Sequence, residues 1–175
     1  MSDASHTTGF PADLQEELIA ALRNELAEYG GLLSLLDLQQ AAVLDRKPDG
    51  VLELIPQIDA QLATTHTRRK KREATANELA ILSQIPTPAT LGNLTPLFRP
   101  AVRPLIEALA DEVNRLIGYT RRRAQQNQML LARSVELTQE LVSQISPRAV
   151  TKTYSARGQV KIQPASGASR LLEKS

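Results

Sequence analysis

The side chains that most often perform catalysis or bind metals are scarce in this sequence of 175 residues. There is no Cys, and the two histidines, His6 and His66, belong to no HExxH or other metal-ligand spacing. No GxSxG, GxxxxGK[ST] or GxGxxG motif occurs. Acidic pairs such as Glu16-Glu17 are typical of solvated helix surface rather than of acid–base catalysis. The sequence therefore predicts a protein that is not an enzyme and that needs no metal or cofactor.

Two basic runs, Arg68–Arg72 and Arg121–Arg123, are the other segments that could recognise a ligand. Their composition suits phosphate groups and also imitates a nuclear localisation signal. On long helices, however, such runs reach every face, and several members meet water or carboxylates such as Glu73 and Glu78. No aromatic reading motif accompanies them, so solvated surface is the favoured interpretation and nucleic acid is not an expected partner.

The charge is divided unequally along the chain. Residues 1–145 hold 15 Lys and Arg against 18 Asp and Glu, whereas residues 146–175 hold 6 against 1. The basic pI of about 9.1 therefore comes from the C-terminal segment. That segment has few apolar residues and no sustained period, so we expect it to be disordered until it is bound. The lack of Cys and of any apolar run of about 18 residues predicts a cytoplasmic protein without membrane insertion.

Three long helices must position the functional residues. Apolar residues at steps of three and four predict a first helix from about 11–13 to 47 and a second, capped by Asp49, that ends before Pro86. We expect a distortion of the second helix at Pro56, because proline has no amide hydrogen. Residues 85–100 include four prolines and read as a connector, with one short helical turn opened by Thr95-Pro96. The third helix is predicted over about 100–144 in heptad register.

The predicted fold class is all-α, an elongated antiparallel bundle of three long helices, coiled-coil-like, with a flexible C-terminal tail. Residues 1–145 form the helical bundle and residues 146–175 the flexible basic tail. Only 3% of the residues are aromatic, so Leu, Ile, Val and Ala must build the core. The seams of helices two and three both become polar halfway along, at Thr65, Arg69, Arg72, Thr120, Arg123 and Asn127.

Three segments taken in order resemble one family. They are Leu22–Leu36 in the first helix, Asn127–Leu131 late in the third, and Thr153–Val160 in the tail. The chain resembles the FlgN-type flagellar export chaperones from about Leu14 to Val160. These are helical cytoplasmic proteins that escort the hook-filament junction proteins to the flagellar type III export gate.

The resemblance implies two binding sites. The first holds the apolar terminal helices of a junction protein, the client, and prevents premature assembly; this is helix-in-groove recognition. The matching residues are Asn127, Leu130, Leu131, Val135, Leu137, Leu141, Val142 and Ile145. The same apolar residues could equally form internal core. The second site docks the tail at the cytosolic domain of the export gate through Tyr154 and Gly158; an idle tail tyrosine is the alternative.

Two further expectations concern partners. A thin bundle with an uncovered apolar stripe can pair with a second copy, so a homodimer without client is an expected state. Helical bundles with exposed stripes also serve other machines, and a coiled-coil adaptor or assembly subunit of another secretion system is the alternative function.

Overall fold

The computed structural model describes residues 10–145, 151–154 and 160–163. The first range is helical and contains, in order, α1 (Ala12–Leu44), α2 (Pro48–Leu82), α3 (Leu91–Leu94), one 3-10 turn (Thr95–Leu97) and α4 (Arg103–Ile145). The all-α fold class with three long helices is confirmed. The chain divides into two compact units at Met129, within α4, and the predicted domain boundary at residue 145 stays a prediction.

Prolines define the starts of the first two helices. α1 begins directly after Pro11, and Asp13 lies in its first turn, where a carboxylate complements the positive end of the helix dipole. The prediction that Asp49 caps α2 is wrong. Lys47 occupies the cap position without a side-chain hydrogen bond, and Pro48 is the first helical residue. Proline suits this position because its fixed φ is already helical and it has no amide that needs an acceptor.

α2 continues without a break through Pro56, where the sequence predicts a distortion. Pro56 cannot donate to the carbonyl of Leu52, one turn earlier. Both residues lie on the exposed surface of α2, where water satisfies a free carbonyl at little cost. The proline therefore does not end the helix.

α1 and α2 run antiparallel and approach each other closely. At Gly31 a Cβ atom would lie only 3.2 Å from Nε2 of Gln61 on α2. The same Nε2 donates to the backbone carbonyl of Glu28, at 3.0 Å. A glycine at residue 31 therefore leaves space for a side chain that links α2 to the backbone of α1.

All helical elements except the 3-10 turn contribute fully buried side chains to the main core of the first unit. The cluster consists of Phe10, Leu18, Leu22, Ala76, Leu79, Ala80, Leu94, Phe98, Ile106 and Val113. Phe10 and Phe98 contact each other with ring centroids 4.8 Å apart. These are the only two Phe residues of the chain, so its largest apolar side chains fix the segment before α1 against the segment before α4.

The segment between α2 and α4 does more than connect them. Its predicted turn at Thr95-Pro96 is confirmed as the 3-10 turn. It also contains α3, which the sequence analysis did not predict and which Thr90 caps by accepting from the amide of Asn93, at 3.3 Å. Leu94 and Phe98 are buried in the main core, so this segment is part of the packed structure.

Two short strands lie beyond α4. β1 (Thr151–Tyr154) pairs antiparallel with β2 (Val160–Gln163), with Tyr154 opposite Val160. The expectation of a tail without regular structure does not hold for these eight residues. Both strands are rich in the β-branched and aromatic residues that favour extended backbone, a local signal that the polar composition of the tail obscured.

Leu94→Ala should lower the free energy of unfolding by about 2–5 kcal/mol, because it opens a cavity in the main core. Leu105→Ala is the matched control, since Leu105 is exposed on α4 and its truncation should cost less than about 0.5 kcal/mol. Urea denaturation followed by circular dichroism at 222 nm measures both values. Equal losses would contradict a structural role for the segment before α4.

Candidate functional site

The last sixteen residues of α4, 130–145, present apolar side chains to solvent. We call Leu130, Leu131, Val135, Leu137, Leu141, Val142 and Ile145 the apolar stripe. Leu130 and Leu131 are half-buried, whereas the exposed fraction is 55% for Val135 and 81% for Ile145. Of the two interpretations that the sequence left open for these residues, core or exposed surface, the structure favours exposed surface for the five from Val135 onward.

The apolar stripe occupies one side of its helix. At about 100° per residue its members fall within an arc of about 160°. The charged residues of the same segment, Arg133, Glu136 and Glu140, fall within about 60° on the opposite side. Arg133 and Glu136 form a surface ion pair of 3.3 Å. The segment is therefore amphipathic, with one side suited to an apolar partner and the other to water.

Asn127 differs from the other residues predicted to bind the client. Its exposed fraction is 1%, and its Nδ2 donates to the carbonyl of Leu36 at 2.7 Å and to Oε1 of Gln39 at 3.0 Å. A side chain buried in this way has no surface to offer a partner. The structure therefore reassigns Asn127 as a residue that fixes α4 against α1. Asn127 does not belong to the apolar stripe.

The polar seams predicted for the second and third helices lie between helices, with one exception. Arg69 is exposed and bonds Glu73 of its own helix, so its predicted place in the seam is wrong. Thr65 and Thr120 are buried like Asn127. Arg123 of α4 forms an ion pair with Asp37 of α1, 2.8 Å between Nε and Oδ1, and also donates to Gln40. These bonds have defined partners, so they fix the relative register of α1 and α4 in a way that interchangeable Leu contacts do not.

One ion pair is buried between α1 and α2. Nε of Arg72 lies 2.5 Å from Oε2 of Glu25, and the Glu25 side chain is 0% exposed. A buried carboxylate is costly without a partner, so loss of Arg72 would leave an uncompensated charge. Arg72 therefore has a structural role that the composition of the basic run did not indicate.

Most of the first basic run is paired in the same way. Arg68 reaches Glu28 at 3.4 Å and Lys71 reaches Glu17 at 3.7 Å. The partner predicted from the sequence, Glu73, bonds Arg69 at 2.8 Å, whereas Glu78 forms no ion pair with any described residue. Three of the four paired cations reach α1. Sequence reasoning missed these pairs because the partners are 40 or more residues away in the chain.

Hydrogen bonds within single helices hold two carboxyl groups in their charged form. The bond from Arg69 lowers the pKa of Glu73 and raises the pKa of the Arg69 guanidinium. On α4 the bond from Arg115 lowers the pKa of Glu112 and raises the pKa of Arg115. These four groups therefore stay ionised at neutral pH, and their mutual attraction is that of ordinary surface pairs.

One member of the second basic run, Arg122, lies against the ring of Tyr119 together with Arg115. The guanidinium carbons of Arg122 and Arg115 lie 4.8 Å and 5.6 Å from the ring centroid of Tyr119, within cation–π range. Tyr119 is 42% exposed. The two arginines therefore cover an aromatic surface that would otherwise meet water.

The two tail residues predicted to contact the export gate are described unequally. Tyr154 is the last residue of β1, and only its backbone is described. Gly158 lies outside the described residues. Their predicted role stays a prediction.

Two kinds of feature are absent from the described residues. No helix there combines the length and apolar character needed to cross a membrane. No group of three or more His, Cys, Asp or Glu side chains in that part of the chain could hold a metal ion.

Comparison with known protein families identifies a match over most of the chain. The sequence model of the family described as FlgN protein matches residues 14–162. No curated protein and no solved structure matches the chain. The matched range includes the three long helices from Leu14 onward, the apolar stripe, β1 and all but the last residue of β2.

Asn127→Ala should lower the free energy of unfolding by about 1–3 kcal/mol, because Gln39 and the Leu36 carbonyl lose a buried donor. Gln128→Ala is the matched control, an exposed amide one residue further along α4, with an expected change below about 0.5 kcal/mol. Urea denaturation measures both. If the two variants were equally stable, the reassignment of Asn127 would be wrong.

Proposed function

The chain belongs to the FlgN family, and on that basis we propose that it is a cytoplasmic flagellar export chaperone. It binds the helical terminal segments of hook-filament junction proteins, prevents their premature assembly and delivers them to the flagellar type III export gate. It does so without catalysis, metal or cofactor.

The observation that supports client binding is the exposure of the apolar stripe. Five of its seven members, from Val135 to Ile145, are more than two-fifths exposed. Exposed apolar surface that is contiguous on one helix face is a feature of protein interaction sites. An amphipathic helix of the client would lay its own apolar face on this stripe. Full burial of one Leu or Val contributes about 1.5–3 kcal/mol, so a few such contacts offset the cost of ordering the complex.

The same segment accounts for the selectivity of a chaperone toward helices. The stripe runs along sixteen residues of one α-helix, a length of about 24 Å. A partner helix of about the same length can match its side chains at spacings of three and four residues. An extended strand finds no free backbone hydrogen-bonding groups on the surface of a helix. The apolar stripe therefore suits an amphipathic helix as its ligand. The family resemblance assigns that helix to the end of a junction protein, where it must stay covered before assembly.

Delivery to the export gate rests on the tail. Tyr154 is the one aromatic residue of residues 146–175, and aromatic side chains form contact anchors with a small loss of rotamer entropy. The tail also carries 6 Lys and Arg against 1 Glu, which favours an acidic protein surface as its partner. Tyr154 and Gly158 are the residues we assign to gate contact.

The free chaperone offers the stripe to any apolar helix, including that of a second copy. We therefore expect a homodimer when no client is present, and we expect the client to displace the second copy because both occupy the same surface.

Leu137→Asp combined with Leu141→Asp should weaken client binding by at least about a hundredfold, because two carboxylates would have to be desolvated against an apolar helix. The control is Gln139→Asp combined with Ser143→Asp, which adds the same charge to the opposite side of α4 and should leave affinity within about twofold. Isothermal titration with the junction proteins of the same bacterium measures affinity, and circular dichroism measures helix content. Unfolding of the first variant alone would show that these residues are core.

Tyr154→Ala should preserve client affinity but weaken binding to the cytosolic domain of the export gate by about tenfold, the usual effect of removing an aromatic anchor. Tyr154→Phe is the control, since it keeps the ring and should retain most of the affinity. Surface plasmon resonance with the immobilised gate domain provides the measurement. Unchanged gate affinity of the alanine variant would remove Tyr154 from the mechanism.

A further inference from the structure

A groove of about 870 Å³ lies in the first unit between α2 and α4, well before the apolar stripe begins. Residues 69–77 of α2 form one wall and residues 106–121 of α4 form the other. Leu22 of α1 and several of residues 88–95 also line it. No residue of the proposed client site lines it. The groove is therefore a second surface whose function the client site does not explain.

On the α4 wall the sign of the charge changes from one end of the groove to the other. Glu107, Asp111, Asn114, Gly118 and Arg121 line the groove at steps of three and four residues, which places them along one face of the helix. The α4 wall is acidic at Glu107 and Asp111, uncharged in the middle and basic at Arg121. Glu107 and Arg121 are fourteen residues apart, a separation of about 21 Å along the axis.

Two of the three arginines at the basic end are already paired. Arg69 bonds Glu73 at 2.8 Å and Arg72 bonds the buried Glu25. Arg121 is exposed and forms no ion pair with any described residue. The positive charge that remains available to a ligand at this end is therefore that of Arg121, supported by the guanidinium groups of Arg69 and Arg72.

The acidic end keeps its charge as well. Arg103, one turn before Glu107, is directed to the preceding segment, where it donates to the carbonyls of Phe98 and Pro96 at 2.7 Å and 2.6 Å. Glu107 and Asp111 are exposed and form no ion pair within the described residues. Both carboxylates are therefore available to a cationic group.

The middle of the groove permits close approach of another helix. Ala110 and Gly118 are small residues that line it, and a Cβ atom on Gly118 would meet only the side chain of Arg122, at 3.6 Å. Ile117 and Leu91 line the groove and are half-buried. A shallow, partly apolar channel with charged ends suits the apolar ridge of a helix.

We propose that this groove binds an amphipathic helix of a partner protein, about fourteen residues long and antiparallel to α4. Its acidic first turn lies beside Arg121 and Arg69, and its basic last turn lies beside Glu107 and Asp111. The proposal goes beyond client binding at the apolar stripe, because the two surfaces share no residue.

The orientation follows from the charges. Most helices carry acidic residues in the first turn and basic residues in the last, because these complement the helix dipole. Antiparallel to α4, such a helix opposes its acids to Arg121 and its bases to Glu107 and Asp111. In the parallel orientation the same side chains would face like charges, which is unfavourable by a similar amount. The groove therefore favours one orientation of the bound helix in addition to an amphipathic sequence.

The test uses two designed peptides of eighteen residues with the same Leu positions and the same staple to equalise helix content. One has Glu in the first turn and Lys in the last, and the other has these charges exchanged. Fluorescence anisotropy with the full-length chain should give the first peptide about fivefold tighter binding, from a few surface charge pairs. The charge-exchanged chain, Arg121→Glu with Asp111→Lys, should reverse the preference. The same preference in both chains, or none in either, would overturn the proposal.

Two further variants identify where the peptide lies. Gly118→Trp should reduce the affinity of the first peptide by at least about tenfold by filling the groove, whereas Gly118→Ala, which favours helix, should not. Leu137→Asp with Leu141→Asp removes the apolar stripe as a competing site, and the preference for the first peptide over the second should persist in this variant. Loss of the preference there would place the peptide on the apolar stripe and refute the groove. Conversion of a dimer to a monomer by Gly118→Trp alone would identify the occupant as a second copy and refute a partner helix.

Discussion

The seven-residue spacing of the buried side chains on α4 is the constraint on which the rest of the molecule depends. Ile106 and Val113 belong to the main core, and Thr120 and Asn127 follow at the same spacing as buried polar groups. The next apolar residue in this register, Leu141, is 58% exposed. One helix face thus passes from apolar and buried, to polar and buried, to uncovered. The seven-residue spacing continues unchanged along α4. The same periodic pattern therefore supplies both the buried residues of the first unit and the exposed Leu141.

The polar residues in the middle of the helices fix how the helices align with one another along their axes. Apolar contacts between long helices are nearly interchangeable, and a slip by one heptad costs little when every seam residue is Leu. The bonds of Asn127 to Leu36 and of Arg123 to Asp37 have only one satisfactory alignment, and the buried pair of Glu25 with Arg72 fixes α2 against α1 in the same way. A shift of one helix along another would leave these buried polar groups without partners, which is costly. The polar contacts therefore oppose such a shift more strongly than they add to the free energy of unfolding.

The described residues present two surfaces of different character. The apolar stripe offers a broad apolar face with its charges on the opposite side, which suits tight burial of an apolar helix. The groove between α2 and α4 has less apolar surface and is ordered by charge, which suits recognition of direction. A chaperone has to hold an aggregation-prone segment and also release it in an ordered way. A strong apolar site and a weaker, directional one are compatible with those two requirements.

The sequence by itself determined the all-α class, the three long helices, the turn at Thr95-Pro96 and most of the polar seam residues. It also indicated the family, through the order of Leu22–Leu36, Asn127–Leu131 and Thr153–Val160. These features depend on local periodicity and on residue types, which are printed in the chain. Only the tertiary structure decided which side chains are covered. Asn127 and Leu141 are two heptads apart on the same face of α4, yet one is buried and the other exposed, because burial depends on which other helix lies alongside. The partners of Arg68, Lys71 and Arg72 on α1 are likewise distant in sequence and become neighbours only through packing. The same holds for the two walls of the groove, one on α2 and the other on α4.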